Sequence, residues 1–329
     1  MNDFTISFVK KVVKGNFAMK MKKILTGFTT LALSTLLLAA CGGNDKKDTA
    51  SSSTASSSSV AKSSSSKEEA KEVKKVAGAD LKDGTYKLEE KNYENGYRTV
   101  FSITVKDGKI TESSYDNVNE KGESKTKDAD YNKNMKAKSG TDPETYIPQL
   151  NKELVEGQNA NVAVVTGATH SSESFKNYAQ QLIQAAQAGK TDTIEIDNGA
   201  ALKDGTYTLE EKNYSHNYRV VFSITVKDGK LTESKYDYVD KDGKSKQDDE
   251  EYNKSMQEKS GTAPKTYIPQ LNEELVKAMS GEKPSVNNVE VVTGATHSSD
   301  SFKIYAAQLI NAAQKGDTAK IEVDNIVTE

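Results

Sequence analysis

Val165-Thr-Gly-Ala-Thr-His-Ser-Ser-Glu173 runs into Phe175, Tyr178, Ala179, Leu182, Ile183 and Ala186. Those apolar positions fall at i, i+3, i+4, i+7, i+8 and i+11, one face of a helix that the pattern ends near Gly189. Just upstream, Val162–Val165 reads as a short apolar strand. Further out, Phe101, Ile103 and Val105 alternate with Ser102 and Thr104, which predicts a strand with one buried face. Asp107-Gly108 turns it into a second strand through Ile110 and Tyr115. Asp83-Gly84 precedes a shorter strand at Thr85–Leu88, and Pro143 opens a helix with Pro148 early inside it. The expected fold class is α+β.

The whole pattern is written twice. Leu81-Lys-Asp-Gly-Thr-Tyr86 recurs as Leu202-Lys-Asp-Gly-Thr-Tyr207, 121 residues on, and Thr145-Tyr-Ile-Pro-Gln-Leu150 recurs as Thr266–Leu271. After a short insertion around Gly281–Val286, Thr166-Gly-Ala-Thr-His-Ser-Ser172 recurs as Thr293–Ser299, and the helix face as Phe302, Tyr305, Ala306, Leu309, Ile310 and Ala313. So long a period means tandem domains, since solenoid units run to roughly 20–50 residues. Only Asn198–Ala201 separates the copies, so they are expected to abut.

Composition excludes several classes. The chain has 329 residues, 45 basic against 48 acidic, a near balance that argues against a nucleic-acid binder. One Cys and three His leave no internal disulfide and no Cys-rich metal site. Mean hydropathy is −0.71, low enough to predict that part of the length is unstructured.

That part is N-terminal. Lys20, Lys22 and Lys23 precede an apolar run from Ile24 to Ala40, which closes as Leu38-Ala39-Ala40-Cys41-Gly42-Gly43. A positive flank, a short apolar core and small residues before a cut site describe a secretory leader. The ending resembles a bacterial lipobox, which implies a diacylglycerol on the Cys41 sulfur; each buried CH₂ contributes about 0.8 kcal/mol, so two chains anchor stably. From Gly42 to about Lys75 the chain is Ser, Lys, Ala, Thr and Glu, too polar to offset its chain entropy. It reads as a disordered tether spanning roughly 30–35 Å as a random coil. The expected organisation is an N-terminal extension and leader over 1–40, lipidated Cys41 and tether over 41–78, and domains over 79–198 and 199–329.

The junction before the long helix is the candidate site. Gly167 and Ala168 permit close approach to the backbone, Ser171 and Ser172 can cap the helix, and its first-turn N–H groups offer partial positive charge to an anion. Thr169 adds a hydroxyl at the rim. A capped turn with no ligand fits the same spacing.

Thr166-Gly-Ala-Thr-His-Ser-Ser172, ahead of such a helix in an α+β unit of roughly 120 residues, resembles the motif of the FMN-binding domain family. The resemblance covers about 80–197 and 201–325. It implies two FMN-binding-type domains in which an FAD-dependent FMN transferase esterifies FMN phosphate onto the last Thr of the motif, Thr169 and Thr296. Thr166, Gly167 and Ala168, with Thr293, Gly294 and Ala295, would shape the two loops. The family often carries Asp six residues before the acceptor; Ala163 and Glu290 stand there instead.

With lipobox and tether, the chain resembles the flavinylated lipoproteins of Gram-positive extracellular electron transfer. That implies a carrier on the outer membrane face, reaching into the cell wall and relaying electrons from a membrane quinone and NADH dehydrogenase system to acceptors such as ferric iron. The other reading is a cofactor-free surface binding or adhesion lipoprotein. Arg98 and Arg219, the only arginines, occupy matching positions and can pair with phosphate or a flavin carbonyl, or form strand-edge ion pairs. His170 and His297 can touch phosphate or sit solvated in the turn, and Tyr146 and Tyr267 can stack on a ring or pack the core. The charge-rich stretches Lys121–Asp130 and Lys241–Glu251 read as solvated loops.

Overall fold

Residues 75–328 are described by a computed structural model of the chain. The leader, Cys41 and nearly all of the tether lie outside the described residues. The last residues expected in the tether do not: Lys75–Ala77 forms β1, so strand structure is present before residue 79.

The first half then runs β2 (Gly84–Glu90), β3 (Arg98–Lys106), β4 (Lys109–Val118), α1 (Ala129–Ser139), α2 (Pro143–Gly157), α3 (Thr169–Ala188) and β5 (Ile194–Ile196). Its sheet has the order β4-β3-β2-β5, with β2, β3 and β4 antiparallel and β5 parallel to β2. The β3–β4 turn holds Asp107 and Gly108 at φ 52° and 71°, the left-handed pair that matches the twist of a two-residue hairpin. Alternation in β3 buries Thr99, Phe101, Ile103 and Val105 on one face. Against that face lie Leu150 and Leu154 of α2 and Phe175, Ala179 and Leu182 of α3, all fully buried. Phe101, Tyr115 and Phe175 form the aromatic centre, with ring centroids 4.8–5.3 Å apart.

Each helix end has a local cause. Asp128 and Asp142 cap α1 and α2 by accepting from the N–H groups of Tyr131 and Thr145, and Pro143 occupies the first helical position, where no N–H is needed. Gly140 and Gly189 close α1 and α3 in the left-handed region. Pro148 lies inside a continuous α2.

The structure corrects three local expectations and adds one strand that the sequence pattern did not announce. Val162–Val165 makes no strand: its backbone is satisfied by side chains, Ala163 N–H donating to Glu153 and Val165 N–H to Ser172. Ser171 and Ser172 lie within the first turn of α3 instead of capping it. Lys121–Asp130 includes a 3-10 turn at Lys125–Lys127 and the start of α1, and Lys241–Glu251 likewise runs into a helix. The short β5 has no alternation long enough to announce it.

The second half repeats the plan as β6 (Gly205–Glu211), β7 (Arg219–Lys227), β8 (Lys230–Val239), α4 (Glu250–Ser260), α5 (Pro264–Ser280), α6 (Thr296–Lys315) and β9 (Ile321–Val323), with sheet order β8-β7-β6-β9. The inserted residues add a 3-10 turn at Val286–Asn288. A final strand, β10 (Val327–Thr328), pairs antiparallel with β1.

The halves belong to one compact unit. Helices α3 and α6 face each other. Lys176 on α3 binds Asp300 at 2.9 Å, and Lys303 on α6 reaches Glu173 at 3.5 Å; the two pairs are the same repeat positions exchanged. Asn311 on α6 accepts from Asp197 N–H, and Gln187 on α3 donates to the Asp324 carbonyl. Among the described residues no helix is long and apolar enough to cross a membrane.

Candidate functional site

The loop before α3 is built around one glycine. Ala168 N–H closes a turn onto the Val165 carbonyl at 2.9 Å, which requires Gly167 at φ 82°. A Cβ on Gly167 would collide with the Ser139 carbonyl oxygen at the end of α1, so α1 clamps the loop and admits no side chain there. Gly294 repeats this against Ser260 at the end of α4, also at φ 82°.

Ser172 fixes the other side. Its buried Oγ accepts from Val165 N–H and donates to the Ala168 carbonyl, both at 3.0 Å. Ser299 does the same for Val292 and Ala295, at 3.0 and 2.9 Å. Ala168 and Ala295 hold the N-cap positions and have no side chain with which to cap. The first-turn N–H groups of Thr169, His170 and Ser171, and of Thr296, His297 and Ser298, therefore make no hydrogen bond within the described structure. Uncapped N–H groups and the positive end of a 20-residue helix favour an anion. Thr166, Thr169 and His170, like Thr293, Thr296 and His297, are exposed at this end. The structure thus brings an exposed threonine hydroxyl, the glycine loop and backbone N–H groups without a partner among the described residues together, twice.

The tyrosines take a different part from ring stacking. Tyr146 and Tyr267 are 1% and 2% exposed, their rings packed within the two cores, and only their hydroxyls meet the site. Tyr146 accepts from Ser171 at 3.2 Å, and Tyr267 accepts from Ser298 at 3.3 Å. In the second half the chain of bonds is longer: Tyr236 donates to Tyr238 at 2.7 Å, and Tyr238 donates to Ser298 at 3.2 Å. Burial pushes the Tyr238 hydroxyl up to about 12, so this relay stays protonated. Asn117 stands where Tyr238 does, and accepts from Thr99.

The arginines are committed elsewhere. Arg98 binds Glu89 at 2.9 Å, the Glu90 carbonyl and the Tyr93 hydroxyl, and Arg219 binds Glu210 at 3.1 Å, the Glu211 carbonyl and the Tyr214 hydroxyl. These are the strand-edge ion pairs, and no hydrogen bond joins either guanidinium to the motif loop among the described residues. Behind them, burial raises Glu211, which accepts from the Tyr305 hydroxyl at 2.7 Å.

A cavity of about 610 Å³ opens beside the α6 terminus, lined by His297, Tyr218, Tyr238, Lys246 and Tyr252 and, from the first half, by Ile183 and Gln187. A second, of about 520 Å³, has Glu90, Tyr178 and Asn177 on one wall and Ile310 and Gln314 of the second half on the other. Sequence reasoning missed this tyrosine and lysine group, because its members are scattered over Tyr218–Tyr252 with no shared period. The available signal was 15 Tyr in a chain without Trp. No metal-binding group of His, Cys, Asp and Glu exists among the described residues.

Residues 96–184 match the model of the FMN-binding domain family. The 15 kDa lipoprotein of Treponema pallidum (strain Nichols) is 36% identical over 118 residues, which span 35% of this chain and 84% of that protein. A crystal structure of a Clostridium perfringens protein is 44% identical and covers 36% of this chain and 98% of its own, with a TM-score of 0.35. A solution structure from Clostridium thermocellum is 23% identical, covering 34% and 95%, with a TM-score of 0.23. The chain belongs to the FMN-binding domain family.

Proposed function

We propose that the chain is a lipid-anchored extracellular electron carrier with FMN esterified to Thr169 and Thr296, one in each of two tandem FMN-binding-type domains. The observation that carries this reading is the exposed threonine hydroxyl at the uncapped start of a 20-residue helix, behind a glycine where a Cβ would collide with a neighbouring carbonyl, present twice. An FAD-dependent FMN transferase would supply the group: the pyrophosphate of FAD splits, the FMN phosphorus joins the threonine oxygen, the hydroxyl proton is lost and AMP leaves. The resulting phosphodiester keeps a negative charge, which the three free N–H groups and the helix dipole stabilise. Bound FMN supplies the redox chemistry, and the protein's part is to hold and orient it.

An ester suits a surface protein, since a dissociable cofactor outside a cell is lost to dilution. The lipobox ending at Cys41 and the lipoprotein name of the Treponema pallidum relative support a membrane anchor. A membrane quinone and NADH dehydrogenase system would donate electrons, and an extracellular acceptor such as ferric iron would receive them.

Intact mass and in-gel flavin fluorescence of chain made beside the transferase test this. Two FMN additions are expected, with Thr169→Val and Thr296→Val each removing one. A colourless chain with both threonines unmodified leaves the cofactor-free binding lipoprotein instead.

A further inference from the structure

Lys246 is a nearly buried cation set among aromatic rings. Its residue is 8% exposed, and its ammonium lies 4.9 Å from the ring centre of Tyr218, 5.3 Å from Tyr238 and 4.0 Å from Tyr252. Among the described residues no carboxylate comes within ion-pair distance and no hydrogen bond involves Nζ. Three ring faces stabilise the cation in part, and the Asp249 carboxylate, held by the Tyr218 hydroxyl at 2.8 Å, feels its charge without pairing with it directly. Lys246, all three rings and His297 line the same 610 Å³ cavity, whose walls also carry Glu211, Asp324 and Asp300, the last paired with Lys176; His297 follows Thr296 directly. Tyr238 also ties the box to the acceptor turn through its 3.2 Å bond to Ser298.

The first half lacks this arrangement. Lys125, at the matching position, is half-buried and lies over two rings, Tyr97 at 4.9 Å and Tyr131 at 4.1 Å, with Asn117 in place of the third. The 520 Å³ cavity is bounded by Glu90, Tyr178 and residues of the other half, not by this pair of rings or by Lys125.

We propose that the flavin ring carried by Thr296 seats in the composite cavity, against Tyr218, Tyr238 and Tyr252, with Lys246 facing its electron-rich pyrimidine edge and α3 of the first half closing the opposite wall. The inference rests on the acceptor reading above and adds a ring seat with a dedicated cation. It makes the two flavins unequal: the Thr296 flavin is held beside a buried positive charge, and the Thr169 flavin is not. A cation at that edge favours the form carrying extra electrons, so Lys246 raises the potential of one flavin alone.

The test uses full-length chain made with the transferase in a Thr169→Val background, where Thr296 carries the only flavin. Intact mass first counts FMN in the parent and in Lys246→Gln, Lys246→Arg and Tyr238→Asn. Flavin emission and a mediated dithionite titration follow. Emission in the parent is expected to be strongly quenched by the tyrosines. Tyr238→Asn should brighten it severalfold; Lys246→Gln should lower the midpoint potential, and Lys246→Arg should restore it. In a Thr296→Val background, Lys246→Gln should leave the remaining flavin unchanged. A potential in Lys246→Gln equal to that of its flavin-loaded parent, or an emission in Tyr238→Asn equal to the parent's, would overturn the seat. A parent without FMN mass overturns the acceptor reading itself.

Discussion

At the scale of single residues, the site depends on contacts that tolerate no enlargement. Gly167 sits at φ 82° with the Ser139 carbonyl where a Cβ would be, so Gly167→Ala combines left-handed strain with a backbone clash. Backbone strain alone amounts to about 1–3 kcal/mol, and the clash must displace the loop from α1. With FMN attached as proposed, Gly167→Ala should lose the addition at Thr169 in intact-mass measurements while the one at Thr296 remains. Ser172 is a second such point. Its buried hydroxyl bridges Val165 N–H and the Ala168 carbonyl, and Ser172→Ala leaves both groups without that partner. A loss of about 1–3 kcal/mol is expected in urea unfolding. Thr169 and His170, exposed and outside the core, should change stability little when replaced.

At the scale of elements, the repeats differ in how their helices begin. Asp142 caps α2, accepting from Thr145 N–H and Oγ1 and pairing with Lys136 at 3.0 Å. Ala263 takes that position before α5 and offers no side-chain cap. The Thr145 hydroxyl, then Lys136, hold the Asp142 carboxyl below its ordinary value. A carboxyl lowered in the folded state stabilises fully above the ordinary aspartate value, and that contribution is lost as pH falls through the folded value. The first half should accordingly lose thermal stability on acidification more than the same chain bearing Asp142→Ala, as followed by circular dichroism melts. Ala263→Asp should transfer the cap and the pH response to α5. α1 carries a separate lesson: its mean composition is polar throughout, and its role is to present the Ser139 carbonyl to Gly167.

At the scale of the whole molecule, two reciprocal ion pairs join the halves where α3 meets α6. Glu173 and Lys303 have side chains 8% and 7% exposed, and Lys176 is 3% exposed against Asp300. Removing one member of a buried pair leaves its partner charged and unsolvated, a loss of about 3–5 kcal/mol. Glu173→Ala should destabilise by an amount of that order in urea titration. Glu173→Leu with Lys303→Met should be distinctly milder, since neither charge is then stranded. Because the 610 Å³ cavity takes a wall from the first half, the single variant should also change the emission of the flavin proposed at Thr296.

Much of this was legible along the chain. The duplication, the alternation of Phe101–Val105, the Asp107-Gly108 turn and the Phe175–Ala186 face are periodic, local signals, and they located the three antiparallel strands of each sheet and the long helices. Physical reach limited the rest. Val162–Val165 has a strand's composition, but its N–H groups are met by Glu153 and Ser172 rather than by a neighbouring strand. Arg98 and Arg219 could be paired with an anion or with Glu89 and Glu210 on the residues alone; the strand register chose the glutamates. Hydrogen-bond partners and the Tyr–Lys box join residues tens of positions apart, and no sequence period encodes such a meeting. The chain's own pattern determined the paired strands, the long helices and the place of the Thr-Gly-Ala-Thr motif before them, because those follow from local periodicity. Tertiary packing decided what surrounds them, because the Ser139 clamp, the caged ammonium of Lys246 and the shared cavity walls exist only once distant segments close against one another.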